Sequence, residues 1–420
     1  MELKPKGYEK IIQLINKGVD IPNPLTLDIG EEVRIEKISG DGVRIYPGCR
    51  IYGAHTVIAS GARIGYEGPV TVENCQIGPK VELKGGYFKE AVFLEGANMG
   101  LAAHVREGCI LEEEAGGAHC VGLKQTILFP FVTLGSLINF CDCLMAGGTS
   151  RKDHSEVGSS YIHFNFTPSG GKTTPSLIGD VPRGVMLNQP PIFLGGQGGM
   201  AGPLQLGYGN VVAAGTILRR DIKEENKLIV GKPHGGAVMD FNPYAYPSLS
   251  RVVENNFLYL ANLMALEQWY VLVRQPFFSL QEFGGFIYAG LLDKLTLAQE
   301  ERVKRLKAMA DKIAVSLKKS GPEGQRGPGR REFHENIERA CELFSKEISA
   351  HAAPEQRDHF LTLFFEHNKN SDGSYVEVMK RLPTAVSKEG TLWLEKIVFE
   401  LCRRVAVLFP SLELFNKKIL

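Results

Sequence analysis

Long uncharged apolar runs are missing from this 420-residue chain. A bilayer span needs about 20 such residues, so no membrane helix is expected. Excess charge is missing too: 48 Lys and Arg stand against 47 Asp and Glu, a formal net charge of +1. That balance offers no overall field for nucleic acid or for an anionic membrane surface. The eight cysteines (Cys49, Cys75, Cys109, Cys120, Cys141, Cys143, Cys341 and Cys402) contain no CxxC pair. Their spacing excludes a zinc ribbon or a compact disulfide framework, and buried thiols in a reducing compartment are expected. Cys141 and Cys143 flank Asp142, and strand alternation would point both thiols to one face. That is the weak exception to an expectation of no metal site. Residues 1–18, MELKPKGYEKIIQLINKG, lack the apolar core of a secretory signal, so a cytoplasmic protein is expected.

What is abundant is glycine, 47 residues concentrated before residue 240, where tight corners need positive φ. The same region places an aliphatic residue at every sixth position. Ile45, Ile51 and Val57 form one run, Ile58, Ile64 and Val70 another, followed by Ile77 and Leu83. The pattern resumes at Val105 and Leu111, at Val121 and Ile127, and at Leu206, Val212 and Leu218. Six-residue anchors separated by turn residues are the hexapeptide signature of a parallel β-helix. Three hexads make one triangular coil, and stacked coils bury the anchors in a continuous core.

Three regions follow. Residues 1–24 read as an N-terminal helix that caps the first coil, ended by Ile21-Pro22-Asn23-Pro24. Residues 25–242 read as the β-helix, about ten coils long, with period breaks at 84–104 and 146–204. Such breaks usually map to loops on the binding face. Residues 243–420 read as an α-helical domain, with helices over 247–274, 296–319, 329–350, 355–367 and 386–408 and a flexible glycine-rich loop over 321–329. This last region shows no catalytic constellation and is expected to serve packing, oligomerisation or closure.

Chemistry is expected in 131–180, where Asn139, Asp142, Arg151, Lys152, His154, His163, Asn165 and Lys172 gather beside hexad anchors. A histidine supplies a general base near neutral pH, and arginine and lysine hold phosphate. His163 lies in YIHFNF, where alternation puts Tyr161, His163 and Asn165 on one side, away from Ile162, Phe164 and Phe166. His154 and the Arg151-Lys152 pair lie in a charged turn that solvent alone would explain equally well. Gly170-Gly171-Lys172-Thr173-Thr174 looks like the end of a phosphate-binding loop, but the glycine that motif needs is Phe166, so that reading fails. Gly195-Gly196-Gln197-Gly198-Gly199 lacks the strand and helix of a dinucleotide fingerprint.

The order Val157-Gly158, Asn165-Phe166, Lys172, then Ser176-Leu177-Ile178-Gly179-Asp180 resembles the acetyltransferase half of the bifunctional enzyme that makes UDP-N-acetylglucosamine. The stretch from Leu206-Gly207 to Arg220-Asp221, and the ending Ile229-Val230-Gly231-Lys232-Pro233, resemble the exit coil of hexapeptide acyltransferases. The resemblance covers about half the chain. It implies a left-handed β-helix, acetyl-CoA or another acyl-CoA as donor, a sugar phosphate or nucleotide sugar as acceptor, and a homotrimer. Asn165 and Lys172 carry over as substrate-binding positions, with Asn139, Asp142, Arg151 and Lys152 beside them. The family's nucleotide loop, LxxGxGTRM, is missing, which argues against uridylyl transfer. The family's catalytic histidine would fall near Asp142, where there is none, so His154 or His163 must supply the base. The alternative is a nucleotide-sugar-binding or scaffold protein without chemistry. A three-histidine metal enzyme of the same fold is disfavoured, because His55, His104, His119, His154 and His163 lack its spacing.

Overall fold

The computed structural model describes residues 4–165, 172–232, 236, 238, 248–319, 327–344, 349, 351–369 and 373–415. Short parallel strands wind into a three-faced β-solenoid, and several helices pack against one of its faces. The first face is a ten-stranded sheet running from Arg44–Ile45 to Leu228–Ile229. A bridge from Asp20 to Arg44 adds one more level below it. The other two faces merge into one 16-stranded sheet. They merge because Gly122–Leu128 and Asn139–Met145 each run around a corner and pair on both sides of it.

The hexad anchors point inward as their spacing requires. Ile45, Ile64, Leu83, Met99, Leu134, Val157, Leu194 and Val212 stack in one buried column. Ile51, Val72, Phe88, Val105, Leu123 and Phe140 form a second. Burial of continuous apolar columns is the main stabilising term of a solenoid.

The corners hold a surprise for the glycine argument. Lys80, Glu90, Glu114, Gln125, Phe131 and Asp142 also adopt left-handed backbone. A ladder of corner amides holds several of them there: Lys80 N–H donates to the Ser60 carbonyl, Glu114 to Glu95, and Phe131 to Glu113. The stacking of coils therefore imposes a conformation that composition alone assigns to glycine. The stretch 84–104 is likewise no interruption. It carries the strands Gly86–Lys89, Ala91–Phe93, Asn98–Met99 and Ala103–Val105 of ordinary coils. The coil from Leu83 to Met99 is merely shorter than its neighbours, which breaks the count but not the winding.

Helix α1 (Tyr8–Lys17) lies across the open end of the first coil. It buries Ile11 and Leu14 there, while Lys10 donates to the carbonyls of Gly30 and Val33 and Lys17 to that of Ile38. Those carbonyls have no coil below them to bond, so the lysines satisfy an edge that would otherwise be exposed.

The remaining α-helices among the described residues include α2 (Val181–Gly184), α3 (Leu249–Trp269), α4 (Gln275–Phe278), α5 (Gly284–Lys319), α6 (Gly327–Glu342), α7 (Pro354–Asn368), α8 (Tyr375–Arg381) and α9 (Thr384–Ala406). Helix α3 continues into a π turn, Tyr270–Arg274. Helix α5 begins well before the expected residue 296, because Gly284, Gly285 and Gly290 disguise its first turns. Gly290 is there for close approach: a Cβ would come within 2.2 Å of the Gln76 side chain. Helix α8 escapes the periodicity test by its shortness, although Ser374 and Glu377 give it a full capping box. Gly327–Gly329, expected in a loop, open α6 instead, and residues 321–326 lie outside the described set.

Docking of the helices rests on buried charge. On α5, Lys294 donates to Glu90 at 2.6 Å and Arg302 to Asp142 at 2.6 Å. Glu90 and Asp142 occupy the same corner column, three coils apart, which is about 14 Å at about 4.8 Å per coil. Lys294 and Arg302 are eight residues apart, about 12 Å along a helix. The helix therefore runs beside the solenoid axis with its cations in step with the coils. At the π turn, Arg274 meets Glu112 at 2.9 Å and also Glu113, and stacks over Tyr375 at 3.8 Å; Tyr270 donates to Glu112.

Burial pushes the Glu112 carboxyl up to about 7, with Arg274 opposing it. The folded state then keeps a proton that the unfolded chain releases near its ordinary value of 4.5. This contribution to stability is complete below that ordinary value and is lost as pH rises through about 7. Thermal midpoints across that window should fall more steeply in the wild type than in Glu112→Gln. Parallel slopes would contradict the assignment. Arg274→Met, which strands two buried carboxylates, should cost about 3–5 kcal/mol in urea unfolding; a loss below about 1 kcal/mol, the range of an exposed pair, would contradict it.

Candidate functional site

The residues singled out in 131–180 separate into three groups. Asp142, His163 and Lys172 lie under the docked helices. Asp142 is a left-handed corner residue bound by Arg302, and Arg302 also donates to the Lys172 carbonyl at 3.3 Å. Burial raises the Asp142 carboxyl, and Arg302 opposes the rise. Next to it, Asn256 on α3 donates to the Thr173 carbonyl at 3.1 Å, and Thr173 lies against Met309 of α5. The Lys172 side chain itself is exposed.

His163 corrects the side assigned to it by alternation. The register pairs Asn139 with Ile162, which sets His163 above Phe140 in the second inner column and below Met200. Tyr161 and His163 are buried and Ile162 is 47% exposed, so alternation holds over these three with the inward side reversed, and it fails at Asn165, which is exposed instead of lying beside His163. Inside, His163 Nε2 bonds the Ser176 hydroxyl at 2.9 Å, and Ser176 also accepts the Leu204 amide. The pair stitches Ile162–Asn165 to Ser176–Ile178 through the core. Asp142 at positive φ also breaks the alternation of its neighbours: Cys143 is buried, whereas Cys141 is only partly so. Among the described residues no three His, Cys, Asp or Glu side chains group as metal ligands.

Asn139 and Asn165 form the second group, exposed on the uncovered second face. Phe166, residues 167–171 and Pro233, which share in the motifs above, lie outside the described residues.

Arg151, Lys152 and His154 form the third group, on a hairpin pairing Gly148–Ser150 with Asp153–His154. This is what the period break after Met145 builds. Lys152 is exposed at the tip, and His154 is half-buried. Arg151 reaches back across the first face, where Nη1 donates to the carbonyls of Glu114 at 3.1 Å and Phe131 at 3.3 Å and to the Thr133 hydroxyl at 3.0 Å. It thereby walls a groove of about 360 Å³ that also takes in Lys84, Asn98 and His119. Those three were missed by sequence reasoning because they come from three different coils. The coil length, once known, would have aligned them.

A larger groove of about 620 Å³ opens between Ser176–Ile178, α3 and α9. One of its cations, Arg183, is already held by Asp180 and Glu225, so its charge is committed to structure.

Burial pushes the His163 imidazole down to about 4, against a hydrogen bond that the ring donates to the Cys141 backbone, which raises it. The folded state therefore takes up its proton later than the unfolded chain, whose ordinary value is 6.5. Stability from this group is complete above 6.5 and is lost as pH falls toward 4. In imidazole NMR spectra His163 should stay neutral down to about 4, and a titration near 6.5 would contradict its interior placement.

No family model matches the chain. Curated relatives do. It is 26% identical to the Bifunctional protein GlmU of Trichlorobacter lovleyi over 223 residues, 53% of this chain and 43% of that protein. It is 25% identical to that of Thermotoga maritima over 217 residues, 51% and 42%. It is 27% identical to that of Pelobacter propionicus over 221 residues, 52% and 43%. The chain thus spans less than half the length of the curated relatives it matches. No described helix is long and apolar enough to cross a membrane. The chain is a homologue of Bifunctional protein GlmU over about half its length, and its β-solenoid is consistent with the acetyltransferase half of that protein.

Proposed function

We propose that the chain is an acyl-CoA-dependent acyltransferase acting on a sugar phosphate or nucleotide sugar. The observation that carries this reading is the similarity to Bifunctional protein GlmU, which coincides with a solenoid of the matching kind. In the reaction an amine or hydroxyl of the acceptor attacks the thioester carbonyl and passes its proton to a base. The C–S bond then breaks, and the departing thiolate takes that proton. Acetyl-CoA or a longer acyl-CoA brings phosphates, and the last coil exposes Arg220, Lys227 and Lys232, cations suited to them. Asn139 and Asn165, exposed on the uncovered second face, would orient the acyl group, and the exposed Lys172 side chain would bind phosphate. His154, half-buried on the hairpin beside Arg151, is the base that the polar segment after residue 131 offers to this reaction. His163 belongs to the reading as a brace behind Asn165. Uridylyl transfer has no part in it.

A homotrimer belongs to the same reading. It is supported by Phe193, Val211 and Leu228, exposed apolar side chains in register on the first face. Such a ladder suits burial against another copy.

One observation favours a binding or scaffold protein instead. Asp142, near which the resemblance would put the base, is locked by Arg302.

Acetyl-CoA at about 100 times its dissociation constant should stabilise the fold by about 2.7 kcal/mol, and thiol release should follow when amino-sugar phosphates are added. Stabilisation by UDP-N-acetylglucosamine with none by acetyl-CoA would replace the transferase with the binding protein.

A further inference from the structure

We propose that the groove beneath the Arg151 hairpin is the acceptor site and that His119 is its general base. This rests on the acyltransferase reading, adds the place where its phosphorylated acceptor binds, and replaces His154 with His119 as the base.

The floor of the groove is the outer side of the first face. Asn98, Gly116 and Thr133 follow one another there in register. Gly116 lets the Asn98 side chain lie flat over it, since a Cβ at that position would come within 2.7 Å of the Asn98 amide. A flat polar ring fits such a floor, with the Asn98 amide to meet its hydroxyl groups, while the Thr133 hydroxyl holds Arg151 in place. Its volume of about 360 Å³ falls within the range of small-molecule sites.

Cations stand on both sides. Arg151 is anchored through Nη1 to Glu114, Phe131 and Thr133, which fixes the guanidinium, and its carboxylate neighbour, Glu114 at 4.0 Å from Nε, is a long and exposed contact that a phosphate can replace. Lys84 pairs with Glu67 at 3.3 Å, a partly exposed contact that a phosphate can replace. An arginine held before the ligand arrives loses little freedom on binding.

His119 sits at the corner following Gly116–Gly117. Its Nδ1 lies 2.9 Å from the Ser136 hydroxyl. With Nδ1–H donating to Ser136, Nε2 carries the lone pair. An imidazole oriented through one nitrogen and open at the other is the arrangement a general base requires. In the step proposed, the acceptor N–H or O–H gives its proton to Nε2 as the nucleophile bonds the acyl carbon. The C–S bond of the acyl-CoA breaks, and the thiolate leaves with the proton returned by His119.

The test uses the full chain with acetyl-CoA and glucosamine 1-phosphate. His119→Asn should lower kcat by about 100-fold or more, the usual share of a general base, with KM within about threefold. Arg151→Gln should raise KM about tenfold, the loss of one charged hydrogen bond, with kcat little changed. A His119→Asn kcat within twofold of wild type, about the error of the assay, overturns the assignment of the base. If the wild type turns over no acceptor, the acyltransferase reading and the base both fail, and the site is judged separately. The His119 imidazole resonance should then move on addition of glucosamine 1-phosphate in the wild type and stay put in Arg151→Gln. No movement in the wild type overturns the site as well.

Discussion

Charge placed in step along one corner of the solenoid governs the rest of the molecule. Glu90 and Asp142 project from one corner column, and α5 meets them with Lys294 and Arg302 at a matching rise. Arg274 adds a third buried contact, to Glu112 and Glu113. Apolar packing between a helix and a coiled sheet is tolerant of sliding. Buried ion pairs are not, because a shift by one coil would strand a charge in a low-dielectric seam. The pairs therefore set where the helices lie, and so which faces of the solenoid stay open. The face they cover carries structure; the other two are left for ligands and other copies of the chain.

That division explains how the polar segment after residue 131 is distributed. A stretch dense in His, Asn, Asp and Lys reads as one site while it is only a string. Winding it through coils sends its members to different faces. Asp142 goes to the sealed corner, His163 into the core, Asn139 and Asn165 onto an open face, and Arg151 out on a hairpin.

The solenoid itself was legible. Anchors at Ile45, Ile51, Ile64 and Leu83 needed only counting, and they occupy the interior as counted. The same count, started from Val157, lands six residues on at His163 and would have placed it inside. Strand alternation alone hides this position, because a histidine does not look like an anchor. Other features were illegible for physical reasons. Left-handed corners at Lys80, Glu114 and Phe131 are held by bonds to the neighbouring coil, not by local preference. Arg302 finds Asp142 across 160 residues of sequence, and no local pattern marks such a pair. Lys84, Asn98, His119 and Arg151 converge only because coils of unequal length stack in register.

The central claim is that ligand meets the chain on the open first face and not at the helix-covered corner. Hydrogen–deuterium exchange with acetyl-CoA and glucosamine 1-phosphate reads this directly. The account predicts new protection in 98–101, 116–120, 133–136 and 148–154. Protection confined to 173–178 and the facing part of α5, with the first face unchanged, would contradict it.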